Sequence, residues 1–157
     1  ITCYAVGAGT SGQAGFCSPT ISGNLIHHNS GDGIDCRTSY AGSCNPVIVR
    51  NQIYRNGGWG MNRDPGTNHQ YLSAQTLVGN LIARNSAGGV KLHSGNPLWW
   101  NSPPDAAKLV HNTIVYNGMS GVIGGAPMIT STVIWGHTSD TDVPTGMLPH
   151  ATAIDVM

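Results

Sequence analysis

The sequence predicts an all-β coil of short parallel strands, in which each repeat makes one turn. Three observations carry this expectation. First, the pattern N-x-[LIT]-x-x-N-x-x-x-G-φ, where φ is apolar, occurs four times, beginning at Asn24 (NLIHHNSGDGI), Asn51 (NQIYRNGGWGM), Asn80 (NLIARNSAGGV) and Asn112 (NTIVYNGMSGV). Second, the copies start 27, 29 and 32 residues apart (24 to 51, 51 to 80, 80 to 112) while spacing inside each copy is constant, so insertions fall in one connecting loop per repeat. Third, apolar positions alternate with period two, and 22 Gly and 9 Pro in 157 residues leave little room for helices.

Stacking such repeats puts like residues on like residues about 4.8 Å apart. Ile26, Ile53, Ile82 and Ile114 then fill an interior column. Two asparagine columns follow, Asn24, Asn51, Asn80, Asn112 and Asn29, Asn56, Asn85, Asn117. Buried in register, they can bond side chain to side chain and to neighbouring backbone. Ordinary turn asparagines in left-handed conformations explain one or two of these positions, but not eight in register.

With these residues in view, the chain resembles the right-handed parallel β-helix of the pectate-lyase-like superfamily, in particular the parallel β-helix repeats of secreted proteins. The resemblance covers nearly the whole chain. Ile129 to His137 (ITSTVIWGH) reads as a degenerate fifth copy, with Thr132 at the first Asn position, Ile134 in the core column and His137 at the second Asn position. Ile1-Thr2-Cys3 aligns with Ile34-Asp35-Cys36. The expectation is one β-helix domain over residues 1–157, of about five coils, with Asn ladders and variable loops on one edge, beginning and ending in mid-coil. The start at Ile, without Met or signal peptide, suggests a mature or excised piece.

Composition narrows the function. The chain is 9% charged with formal net charge zero, which argues against nucleic-acid binding, and its seven acidic residues are all Asp. No run of eighteen apolar residues suggests a membrane span. Cys3 and Cys36 occupy equivalent positions, while Cys17 and Cys44 each stand seven before a leading Asn. Of the three connectivities, Cys3 to Cys17 with Cys36 to Cys44 respects the repeat symmetry. Free buried thiols or a metal site are the alternatives, and spacings of 14 and 8 match metal pairs poorly. Disulfides imply an oxidising compartment, hence a secreted or cell-surface protein.

Function must be read from outward columns. The residue after Gly-φ gives Thr2, Asp35, Asn62, Lys91 and Ile123; two further on come Tyr4, Arg37, Asp64, His93 and Gly125. Asp35, Arg37, Asn62, Asp64, Lys91 and His93 are thus expected to form one polar patch. The resemblance implies that a comparable strand face carries polysaccharide lyase or hydrolase chemistry, although no catalytic motif of the family is matched. In that reading Lys91 or Arg37 stabilises an enolate-like anion, His93 is a base, and Asp35 with Asp64 holds calcium. Cross-strand pairing on a solvated sheet is the plainer alternative.

Trp99 and Trp100, with Tyr40 and Tyr71 on neighbouring loops, are candidate sugar-stacking residues, or a local apolar cluster. A corner column, His28, Arg55, Arg84 and Tyr116, reads as a solvated ridge before an anionic-polymer site. No cofactor is implied, calcium entering only with the lyase alternative. The preferred reading is an extracellular structural or surface module whose open coil ends meet copies of itself, stacking end to end into filaments, or the rest of a longer chain, with glycan contact. A polysaccharide lyase or glycoside hydrolase is second, and an ice-binding surface third.

Overall fold

The structure, a computed structural model, describes residues 1–7, 14–39, 41–66, 72–95 and 104–138 and the backbone of 153–154. Its strands follow the chain around a coil. The first turn holds β1 (Thr2–Val6), β2 (Gly15–Cys17), β3 (Thr20–Ser22) and β4 (Leu25–His27), and the second holds β5 (Ile34–Ser39), β6 (Gly42–Cys44), β7 (Val47–Val49) and β8 (Gln52–Tyr54). Then come β9 (Trp59–Asp64), β10 (Thr76–Val78) and β11 (Leu81–Ala83), followed by β12 (Gly88–Lys91), β13 (Lys108–Val110) and β14 (Thr113–Val115). A last round contains β15 (Ser120–Ile123), β16 (Met128–Thr130) and β17 (Val133–Trp135), and β18 (Ala153–Ile154) pairs with β17.

All pairings are parallel. Sheet I has the order β1-β5-β9-β12-β15, sheet II β3-β7-β10-β13-β16 and sheet III β4-β8-β11-β14-β17-β18; β2 and β6 form a small fourth sheet. Four complete turns separate β1 from β15, so the solenoid has about four turns where sequence counting expects about five coils. Every length variation lies between a sheet I strand and the following sheet II strand, because the other two connections are corners whose geometry permits no insertion.

Both short corners have one design. The residue entering each corner is left-handed, with φ between +48° and +70°: Gly23, Arg50, Gly79, His111 and Ser131 between sheets II and III, and His28, Arg55, Arg84, Tyr116 and Gly136 between sheets III and I. An Asn or its substitute follows immediately. The ladder asparagines are therefore not the left-handed residues. Holding a non-glycine residue there costs on the order of 1 kcal/mol, tolerable only where the surroundings over-determine it.

The ladders supply that over-determination. Asn24, Asn51 and Asn80 each donate Nδ2–H to the Oδ1 of the next Asn in their column, as do Asn29, Asn56 and Asn85 in theirs, at 2.8–3.1 Å. The same Oδ1 atoms accept the preceding Asn backbone N–H. From the second coil on, Nδ2 also donates back to a core-strand carbonyl of the previous coil: Ile21, Ile48 and Leu77 on one column, Ile26, Ile53 and Ile82 on the other. A buried corner thus leaves few backbone groups unpaired.

The degenerate copy ends both ladders with the same hydrogen-bond polarity. Thr132 Oγ1 accepts the Asn112 N–H and donates to the Leu109 carbonyl. His137 Nδ1 accepts the Asn117 N–H, and its Nε2 faces the Ile114 carbonyl at 3.2 Å. Those partners select the Nε2–H tautomer, in which imidazole copies an amide's one acceptor and one donor.

Three apolar columns fill the interior. They are Ile34, Met61, Val90 and Val122 on sheet I; Ile21, Ile48, Leu77, Leu109 and Ile129 on sheet II; and Ile26, Ile53, Ile82, Ile114 and Ile134 on sheet III. The repeat glycine has a packing reason. A Cβ on Gly60 would stand 2.4 Å from Ile82 Cγ2 and 2.9 Å from Asn85 Nδ2, so the core and ladder residues of the next coil exclude any side chain there.

Cys3 is bonded to Cys17 and Cys36 to Cys44, and the described residues contain no free cysteine. The bridges stack, with Cys44 Sγ 3.1 Å from Cys3 Sγ, and they hold β2 against β6 beside the first two coils.

Ile53→Ala should cost about 2–5 kcal/mol through lost burial and a residual cavity. Asn85→Ala, which strands buried donors and a carbonyl on both sides, should cost more than Asn24→Ala at the exposed end, by about 2 kcal/mol. Urea melts of the three variants check the order, and an Asn24 variant as damaged as the Asn85 variant would refute the ladder's role.

Candidate functional site

Sheet I's outward face is built from two columns in the expected register: Thr2, Asp35, Asn62, Lys91, Ile123, and beside it Tyr4, Arg37, Asp64. Five of the six patch residues, Asp35, Arg37, Asn62, Asp64 and Lys91, lie at paired positions of this sheet, and His93 does not. Asp35 is buried and paired with Arg37, whose Nε donates to Asp35 Oδ2 at 2.5 Å. Asn62 is turned to Asp32, donating Nδ2–H to its Oδ2 at 2.9 Å, while Asp32 Oδ1 accepts the Trp59 N–H.

His93 leaves the column. β12 ends at Lys91, and the His93 backbone N–H is donated to Asp105 Oδ2 at 3.0 Å. Its imidazole is half-buried, and burial, reinforced by Arg63, holds its pKa below the usual histidine range. Lys91 is exposed one rung beyond Asn62. The expected patch thus loses His93 at the strand's end, where the long insertion starts.

A groove remains at the first rungs. It has a volume of about 510 Å³ and is lined by Thr2, Tyr4, Arg37, Ser39, Asp64 and Gly66. Tyr4 and Arg37 are directly paired in register and both exposed. The Asp35 contact is made through Arg37 Nε. Burial pushes the Asp35 carboxyl above its ordinary range, with Arg37 pulling it back and Asp32 and Asp64 adding to the rise. Tyr40, Tyr71, Trp99 and Trp100 lie outside the described residues, as does the region around Met147.

Among the described residues, one group of three His, Cys or Asp side chains brings its ligand atoms within 4.8 Å of one another, and it is Cys3, Cys36 and Cys44. Those sulfurs are in disulfides, so thiolate ligation does not apply.

A buried polar cluster escapes the sequence reading. Arg63 takes the inward position above Cys36 in the register, where the cystine stack stops. It pairs with Asp105 at 3.4 Å, both side chains fully buried, and donates to Ser73 Oγ at 3.2 Å. Ser73 Oγ also accepts the Cys44 N–H, and Gln75 Nε2–H reaches the Cys44 carbonyl. The cluster takes over the disulfides' task of fastening the connecting edge to the coil. Its signal was parity, because Asn62-Arg63-Asp64 alternates out, in, out. Asp105 follows a long insertion and carries no register.

Residues 6–114 match the family described as the right-handed β-helix region. The chain is a parallel β-solenoid, and it belongs to that right-handed β-helix family. No curated protein and no solved structure matches it.

Asp105 gives a pH signature. Burial pushes its carboxyl up from 3.8 to about 6, against the pull of Arg63 and three hydrogen bonds. A folded pKa above the unfolded value means that the native state holds the extra proton, so stability is greatest below pH 4 and declines as pH rises to about 6. Relative to Asp105→Asn, the wild-type chain should lose about 2 kcal/mol between pH 4 and pH 6.5. Parallel melts at pH 4 and pH 6.5 measure it, and equal pH dependence in both proteins would exclude the assignment.

Proposed function

We propose that this chain is a secreted or cell-surface β-helical module that holds acidic polysaccharide against sheet I without cleaving it. The observation carrying this reading is the Tyr4–Arg37 groove. An exposed phenol ring offers a stacking face for a pyranose, and the adjacent guanidinium, held to Asp35 through Nε, has its Nη groups to offer a uronate carboxylate. Ser39 and Asp64 add hydroxyl-bonding groups at the rim. Bracing the cation in advance lowers the ordering cost of binding. Two structural disulfides fit an oxidising compartment.

The lyase alternative draws less support. A lyase needs a base close to the carboxylate-binding cation, whereas His93 lies beyond the end of β12 and outside the groove lining. Axial continuation belongs to the proposal as well. β1, β3 and β4 are edge strands of their sheets, and a further coil placed on them, from another copy or another segment, would extend the same ladder pattern.

Affinity electrophoresis in polygalacturonate, alginate and neutral glucan should show retardation by the acidic polymers alone. Arg37→Ala should weaken it about 10- to 100-fold, as expected for loss of charge-assisted hydrogen bonds, and Tyr4→Ala several-fold. Unsaturated products absorbing in the ultraviolet should not appear. Binding to none of the acidic polymers, or unchanged binding by Arg37→Ala, would overturn the groove; product release would restore the lyase.

A further inference from the structure

At the first corner between sheets III and I, two histidines meet where strand geometry would keep them apart. Consecutive strand residues point to opposite faces. His27 is the last residue of β4, and His28 is the left-handed corner residue with φ +54°. The corner breaks the alternation. It brings His27 Nδ1 and His28 Nδ1 to 2.7 Å of each other, both side chains exposed.

The rings are also oriented. Tyr54, paired with His27 on the next rung, stacks on the His27 ring at 5.1 Å and 12°, and meets the His28 ring edge-on at 6.2 Å and 80°. The two imidazoles stand nearly perpendicular, at 87°. At 2.7 Å the two nitrogens need something between them. One proton satisfies the pair as a hydrogen bond, and one metal ion does so as two bonds.

We propose that His27 and His28 form a surface site for a divalent transition metal, Cu2+ first, bound through both Nδ1 atoms. At 2.7 Å both nitrogens lie within reach of one ion with metal–nitrogen bonds of about 2.0 Å. Cu2+ stands first because divalent affinity for nitrogen ligands peaks there. Because both side chains are exposed, small ring rotations turn a facing pair into a converging one.

Two imidazole nitrogens offer little to Ca2+ or Mg2+, which take oxygen ligands. Coordination forms two metal–nitrogen bonds, releases two waters from the hydrated ion, and moves the proton of the Nδ1–H imidazole to its own Nε2. No oxidant or reductant takes part, and the remaining positions stay open to water.

The test uses the intact, oxidised chain. Cu2+ is titrated calorimetrically into wild type, His27→Gln, His28→Asn and the double variant, Asn being chosen because it tolerates the left-handed corner. One equivalent should bind, each single variant should weaken it at least tenfold, and Zn2+ should bind more weakly than Cu2+. Electron paramagnetic resonance of the one-equivalent complex should show a tetragonal site with hyperfine coupling to two imidazole nitrogens, absent in the double variant. Since His93, His111 and His137 remain in every variant, retained affinity in the double variant would place the metal elsewhere and overturn the proposal. So would a Cu2+-free outcome in which the Nδ1 pair keeps only its shared proton.

Discussion

The rest of the structure depends on the asparagine amide at each corner, which both turns the chain and ties one turn to the next. A β-solenoid has to bend the backbone sharply between short strands, and each bend removes backbone groups from ladder pairing. Here a left-handed residue makes the bend, and the following Asn satisfies the groups it exposes. Its amide accepts from the coil before it, donates to the coil after it, and reaches back to a core carbonyl. Neither half would serve alone. Left-handed Arg50, Arg55, Arg84, His111, Tyr116 and Ser131 are strained unless held, and a buried Asn without its neighbours would be a costly orphan.

The opposite edge follows another logic. Where sheet I passes to sheet II the coil opens for insertions, and an insertion has no register of its own. The first two coils close this edge covalently, through a stack of two cystines. Beyond them Arg63, Ser73, Gln75 and Asp105 close it by hydrogen bonds and one buried ion pair. A buried pair of this kind is weak evidence of stability, since desolvation of both partners opposes their attraction. What it adds is position, fixing where the insertions leave the coil.

A scaffold stacked in this way holds outward side chains at set intervals, and that is what gives the surface chemistry its precision. Arg37 is useful because Asp35 fixes it, and it sits beside Tyr4 because β1 and β5 are in register. His27 and His28 meet because a corner, not a strand, separates them. Both sites are consequences of the fold's geometry rather than of any local motif.

Periodicity made the sequence legible as far as it ran. The repeat alone determined the parallel coil, the interior Ile column, the two asparagine columns and the register of Thr2, Asp35, Asn62 and Lys91, because identical coils must stack like on like. It also paired the cysteines, which share that symmetry. Three things were left to the tertiary structure. The corner residues before each Asn vary freely in type, so their left-handed conformation leaves no trace in composition. Asp105 joins Arg63 across a long insertion whose path no spacing determines. His93 follows the column by counting, yet leaves it in space because β12 ends two residues earlier. A repeat specifies whatever is the same in every turn; residues set by the differences between turns take their place only when the chain has folded, because loop paths and strand ends are decided by packing against neighbouring coils.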